Sequence, residues 1–556
     1  MYIFRKKIYT VSEEYSGEFM SEKENKKPDY NDPYDKNPDI KNQQSLDDIM
    51  KDPGLIEKIL AEKGIKLPEK DTEEKARINI EAISVIMNGL VFFVLGIFIT
   101  SPFIQLFCRV IDDLTDSKWN VGVRGIVDNR KFINNYQHMI GNINALVCLT
   151  AAFLYIMVIY KVFTKRKKIF GNIKKYLSAA LPFIIFLMFS VSIIVVTCIR
   201  GFNEFDKKGH PYMNESIYSY MLYPLSYFFC GLFVWKSSYK KILLYALIFT
   251  AFPLNILALY NEWGGGFLYF RGSGVVAVFH NSNHYGYYLA MVLFTSGILF
   301  VIEEKIWRRI VSLISMIVAT IVLIINNTLG AYLAVSLSFV LFIIYSILSN
   351  RRKRGDDEKT GSAPVKHKGF LKKIFWPGGW QCAILILVIF IGITVLMSRR
   401  YNTVGSSVSV MVGDVGDILS DPMENDKAGS GRWRLWKGAV RHIVEEPLLG
   451  FGVEGLLIQY EIGTPHNEIL QYAEFFGVIT TALYILAVWL VMWRVFRNFK
   501  KMSKSTMLCF FACFTYLASS FFGVAIYYTT PFVYIFLGLT YAEYLRDSIK
   551  NDDFTS

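Results

Sequence analysis

Long apolar runs with almost no charge recur from residue 82 to residue 545, and nothing else in this chain constrains its fold so strongly. A helix needs ~20 such residues to cross the hydrocarbon core of a bilayer. Backbone groups immersed there must find partners within their own segment, so each run is expected to be a helix. Twelve segments qualify, near 82–107, 139–160, 177–199, 215–235, 242–259, 273–302, 310–325, 328–349, 381–397, 468–493, 506–524 and 531–545. The expected fold class is therefore an all-α integral membrane protein with about 12 transmembrane helices. Composition excludes an ordinary soluble enzyme, since 53% of residues are hydrophobic, 19% are charged and the mean hydropathy is +0.32.

Charge gives the runs a direction. With the N-terminus cytoplasmic, the inner loops 161–176, 236–241, 303–309, 350–380 and 494–505 hold 27 Lys and Arg in 72 residues, whereas the outer loops hold 16 in 137. This is the asymmetry that the positive-inside rule demands, and it puts both termini in the cytoplasm. The net charge of +13 thus records topology and argues against nucleic-acid binding. Runs such as Lys165-Arg166-Lys167-Lys168 and Arg351-Arg352-Lys353-Arg354 suit anionic headgroups of the lipid bilayer.

Residues 1–81 are expected to be a disordered cytoplasmic tail, polar and rich in Asn and Pro, with a short amphipathic helix from Leu55 to Lys63 and no signal peptide. Residues 82–397 carry helices one to nine, 398–467 form one large extracytoplasmic loop, 468–545 carry helices ten to twelve, and 546–556 form a cytoplasmic tail. The seven cysteines lie in or beside apolar runs, with neither a disulfide framework nor metal-ligand spacing. Cys509 and Cys513 share a helix face as packed thiols.

Loops this long usually carry function, so chemistry is expected in 398–467. Val404 to Asn425 reads as irregular. A short amphipathic helix follows, with Ser430 as its N-cap and Trp433, Trp436, Val440, Ile443 and Val444 in helical register, ended by Pro447 ahead of a turn at Gly450 and Gly452. Its cationic side, Arg434, Lys437 and Arg441, lets it lie on the membrane surface, with Arg434 and Arg441 on lipid phosphates. The loop ends in Thr464-Pro465-His466-Asn467, where His466 is either a base for a substrate hydroxyl or a helix cap. Arg271 borders the sixth span, and His280-Asn281-Ser282-Asn283-His284 is expected to interrupt it within the hydrocarbon. Asn281 and Asn283 there serve either interhelical hydrogen bonds or a substrate.

The ordered set Arg271-x-x-Gly274, Phe279-x-Asn281-x-Asn283, Gly330-Ala331, Gly431-Arg432 with Trp436, Pro447 to Gly452, and His466-Asn467 with Gln471 and Glu474 resembles the O-antigen ligase and polymerase superfamily of bacterial membrane glycosyltransferases. The resemblance covers roughly 240–530, and the first four spans and the tail lie outside it. One departure is clear: the family often has an arginine just before the Gly-Ala pair, and this chain has Thr328-Leu329.

The resemblance implies an architecture similar to GT-C type glycosyltransferases, and transfer of a glycan from a polyprenyl-diphosphate-linked glycan donor to a hydroxyl of a glycan, lipid or protein acceptor on the outer face of the cell membrane. It implies His466 as base, Arg432 and Arg271 as partners of the diphosphate, and Asn281, Asn283, Trp436, Asn467 and Glu474 as substrate-binding residues. Glu474 either orients the histidine or a sugar, or makes a packing hydrogen bond. Such a scheme inverts the anomeric centre and needs no metal or cofactor, because guanidinium groups neutralise the leaving diphosphate. Two alternatives are a transporter or flippase of lipid-linked glycan, and a metal-dependent oligosaccharyltransferase using Asp112 and Asp113. The apolar runs are nearly free of Lys and Arg, which weighs against the transporter.

Overall fold

The computed structural model describes residues 173–209, 215–263, 276–279, 281–360, 380–401, 431–455, 464–526 and 529–550, most of 86–106, and scattered positions between them. The N-terminal unit, 1–82, lies outside the described residues, as do Arg271, His280, Asp112, Asp113 and Ser430.

Among the described residues every regular element is helical. In chain order these are α1 (Asn88–Ile104), α2 (Ile173–Arg200), α3 (Glu204–Lys208), α4 (Ile217–Tyr223), a π-helical turn at Pro224–Phe228, and α5 (Phe229–Leu232). Then come α6 (Ser237–Glu262), α7 (Ser282–Ile302), α8 (Ile306–Asn326), α9 (Leu329–Thr360), α10 (Trp380–Tyr401), α11 (Arg432–Glu445), α12 (Glu468–Arg497), α13 (Lys504–Ser520) and α14 (Thr530–Lys550). Among the described residues six helices are long and apolar enough to cross a membrane, namely the Leu177–Arg200 part of α2, α6, α7, α8, the Leu329–Ser349 part of α9, and α12.

Helix α7 is the hub. Every residue from His284 to Ile302 is buried, as expected of a helix that is apolar on all sides. It packs against α6, α8, α9, α10 and α13, while α2 packs on α12, and α14 joins α13 to α5. Aromatic rings fill the seams, with Phe294 against Phe339 at 5.0 Å and Phe342 against Phe511 at 5.2 Å. Cys509 and Cys513 are buried free thiols on α13.

Three local expectations are corrected. The sixth span starts at Ser282, not 273: Asn281 caps α7 by accepting from the Asn283 N–H at 2.7 Å. The Asn281–Asn283 stretch therefore opens a helix of full crossing length instead of interrupting one in hydrocarbon. In the long loop, Ser409, Gly413, Gly416 and Ser420 are helical where irregular chain is expected. The N-cap of α11 is Gly431, with φ of 82° and no capping side chain.

A further departure lies inside α12, which the sequence presents as one uninterrupted run. Gly477 adopts φ 80° and ψ 169°, a conformation open essentially to glycine alone, and splits the helix. The 20 residues from Val478 to Arg497 suffice to cross a bilayer, so Glu468–Phe476 form a separate, largely buried segment ahead of them.

Candidate active site

The break in α12 is stitched by the Pro-Leu-Leu-Gly-Phe-Gly turn. A helix broken at Gly477 leaves carbonyls above and an N–H below without helical partners. The Phe451 N–H donates to the Glu474 carbonyl at 2.7 Å, the Gly452 N–H to Phe475 at 3.0 Å, and the Val478 N–H to the Pro447 carbonyl at 2.8 Å. A Cβ on Gly477 would sit 2.2 Å from the Leu448 carbonyl oxygen, and one on Gly450 would sit 2.6 Å from that of Glu474. Both positions need glycine for close backbone approach.

The end of α2 braces the same join. Arg200 makes an ion pair with Asp206 at 2.6 Å and donates to the carbonyls of Phe475 and Leu449 at 3.2 and 3.4 Å. Asp206 is fully buried and accepts from the Val453 N–H at 3.0 Å. Asn203 donates to the Val453 carbonyl at 3.0 Å and exchanges capping-box bonds with Asp206. Sequence reasoning misses all three residues. The signal is there: Asn203 three positions before Asp206 is the spacing of a capping box.

Helix α11 docks beside this turn. Ala439 and His442 are buried, and the His442 ring packs on Phe451 at 5.8 Å. The Trp436 indole N–H donates to the Pro465 carbonyl at 2.9 Å, and its ring lies 6.4 Å from Phe522. The expected apolar face is thereby divided, for Val440 and Val444 are 51% and 74% exposed.

Trp436 holds the turn that carries His466. That residue is half-buried and has φ of 51°, a left-handed backbone rare outside glycine and tolerated by His, Asn and Asp. The helix cap is Asn467, whose oxygen accepts from the Ile469 and Leu470 N–H groups at 3.0 and 3.1 Å, and whose amide donates to Phe521 at 3.1 Å. His466 does not cap α12. Burial, and then the Arg432 guanidinium, pull its pKa down to about 4, so the ring is neutral at pH 7.

Arg432 is the first residue of α11. Its charge therefore adds to the positive end of the helix dipole, with only glycine at the N-cap, an arrangement suited to an anion. Arg432 also acts electrostatically on Tyr287 of α7, whose hydroxyl donates to the Phe522 carbonyl. The tips of α7, α11 and α12 and the α13–α14 connection thus converge on the His466 turn. At the α8–α9 connection Thr328, standing where the family often has arginine nearby, is buried and bonds the Ser282 carbonyl at 3.2 Å and Asn326 at 2.6 Å.

Glu474 lies two turns further along α12, is 2% exposed, and feels Glu454 as its charged neighbour. Its Oε2 has no hydrogen-bond partner among the described residues. Burial pushes Glu454 up to about 7. Glu468, adjacent to the cap, accepts from the Tyr484 and Tyr516 hydroxyls, both at 3.1 Å. Among the described residues no group of three or more His, Cys, Asp or Glu is disposed to hold a metal.

A bundle of apolar helices, six of them long enough to cross a bilayer among the described residues, defines a multi-pass membrane protein. Residues 314–485 match the family model described as O-antigen ligase, and the resemblance is borne out over that stretch. The match runs from α8 to α12 and contains Arg432, Trp436, the 447–452 turn, His466, Asn467 and Glu474. Arg271, Asn281, Asn283 and the Arg200 brace precede it. No curated protein matches the chain. The match supports a membrane glycan ligase or polymerase kind of function.

Proposed function

We propose that the protein transfers a glycan from a polyprenyl diphosphate to an acceptor hydroxyl on the outer face of the cell membrane, by inversion and without a metal. Twelve spans with both termini inside belong to the same proposal, as does the role of Arg271 in gripping the diphosphate. The observation that carries the reading is the docking of the start of α11 on the His466 turn, where Trp436, one turn after Arg432, donates to the Pro465 carbonyl at 2.9 Å. An uncharged imidazole and an anion-attracting helix end meet at one place.

In the reaction His466 accepts the proton of the acceptor hydroxyl as its oxygen attacks the anomeric carbon. The bond from that carbon to the diphosphate oxygen breaks, and the electron pair leaves with the polyprenyl diphosphate. Arg432 and Arg271 neutralise the developing charge, and the imidazolium later returns its proton to water. A pKa near 4 makes a weak base. Diphosphate bound at Arg432 offsets the guanidinium charge and raises it, so the base strengthens once donor is in place.

The test is transfer from a synthetic polyprenyl-diphosphate glycan, with donor affinity measured separately. His466→Asn keeps a residue that tolerates the left-handed backbone. It should lower turnover by ~10²–10⁴ with donor affinity intact. Arg432→Ala should weaken both donor affinity and turnover, because its contact exists before and during bond cleavage. Near-normal turnover in His466→Asn would sink the base assignment.

A further inference from the structure

We propose that α11 lies in the plane of the membrane, with Trp433, Val440, Val444 and Leu448 in the boundary between phospholipid headgroups and acyl chains, and Arg434 and Arg441 on lipid phosphates. At 3.6 residues per turn α11 divides into three sectors. Leu435, Ala439 and His442 share the side docked on the protein, where Ala439 and His442 are buried. Trp433, Val440 and Val444 share a second side. Arg434 and Arg441 form a crest beside it, both exposed, with Glu445 next to Arg434 on the far edge.

The described protein leaves the apolar side uncovered: Val440, Val444 and the following Leu448 are 51%, 74% and 56% exposed. Three observations identify the occupant as a bilayer. The apolar stripe continues into the flank of a spanning helix, because the Pro447–Leu448 backbone abuts Gly477–Val478, and Val478 and Ile479 are 40% and 58% exposed on α12. Depth agrees, since counting 20 residues back from Arg497 puts Val478 at the edge of the hydrocarbon, where an in-plane helix belongs. Charge agrees too, because arginines beside an apolar stripe snorkel to phosphates. The placement does not rest on the transfer reaction, and its test reads no activity.

The experiment puts single nitroxide labels at 434, 440, 444, 445 and 448 of the full chain, reconstituted in phosphatidylethanolamine and phosphatidylglycerol bilayers. The signal of the parent without an added cysteine is subtracted. Accessibility to oxygen, which partitions into lipid, is compared with that to a water-soluble nickel chelate. Labels at 440, 444 and 448 should favour oxygen, and those at 434 and 445 should favour nickel. Preference for nickel at 444 would mean a solvated face and would overturn the proposal. Shielding of 444 from both reagents would mean that protein covers it, and dipolar broadening between labels would identify a second copy; either result overturns the proposal as well.

Discussion

Replacing Gly477 by alanine tests whether the broken helix organises the site. The new Cβ would lie 2.2 Å from the Leu448 oxygen and 2.5 Å from its carbonyl carbon, which are backbone atoms of a pinned turn. If the break persists, a residue with φ of 80° and ψ of 169° carries ~1–3 kcal/mol of strain in addition to that clash. If the helix straightens instead, the introduced alanine is at ease, but the 447–453 turn must leave. The Phe451 and Gly452 N–H groups then lose their acceptors, at about 1 kcal/mol each. Either route destabilises by ~2–4 kcal/mol. Thermal unfolding in detergent should show a lower midpoint, and donor transfer should fall because α11 loses its docking surface. Gly438→Ala on α11 is the control, since nothing lies within 4 Å of its added Cβ. A helical Gly→Ala change should stabilise by roughly 1 kcal/mol. A Gly477→Ala protein that melts and turns over like the parent would refute the reasoning.

Two other expectations follow from the same geometry. Arg432→Gln removes a positive charge beside His466, which favours the imidazolium and raises its pKa above about 4. The acid limb of kcat/KM should therefore move to higher pH, and an unmoved limb would place the two residues apart. Asp206→Asn breaks the pair with Arg200 around a fully buried carboxylate and should cost about 3 kcal/mol. In a double-mutant cycle with Arg200→Gln the losses should be strongly non-additive, and additive losses would show that the brace is not one unit.

Which parts of this molecule are legible in its sequence follows the range of the forces that shape it. Apolar runs long enough to cross a bilayer announce the helices, because lipid enforces helix locally. Their ends are less legible. The start of α7 depends on one side chain, Asn281, bonding the N–H two residues on, and the surrounding apolar run hides it. The break at Gly477 is invisible because it is held from outside, by the 447–453 turn and by Arg200 on α2. Of the candidate site, His466, Arg432 and Trp436 stand out because imidazole, guanidinium and indole in a long loop between apolar runs are chemically conspicuous. Asn467 is expected at a substrate, yet in the structure its side chain is engaged in capping α12 and tying it to Phe521. Arg200, Asn203 and Asp206 escape notice, since a short connecting loop gives no sign that it braces a helix far along the chain.

The bend in α12 also makes the site depend on segments far away in the chain. Taken alone, Glu468–Arg497 is one long, mostly apolar stretch, and a stretch surrounded by lipid has nowhere to leave an unpartnered carbonyl. A single straight rod is the form that satisfies its backbone locally. The bend needs the 447–453 turn and the end of α2 beside it to take over the freed groups. The site is then a tertiary construction, which α12 cannot form on its own. A chain with a damaged brace would cross the membrane the right number of times and still stop one step short of its working shape.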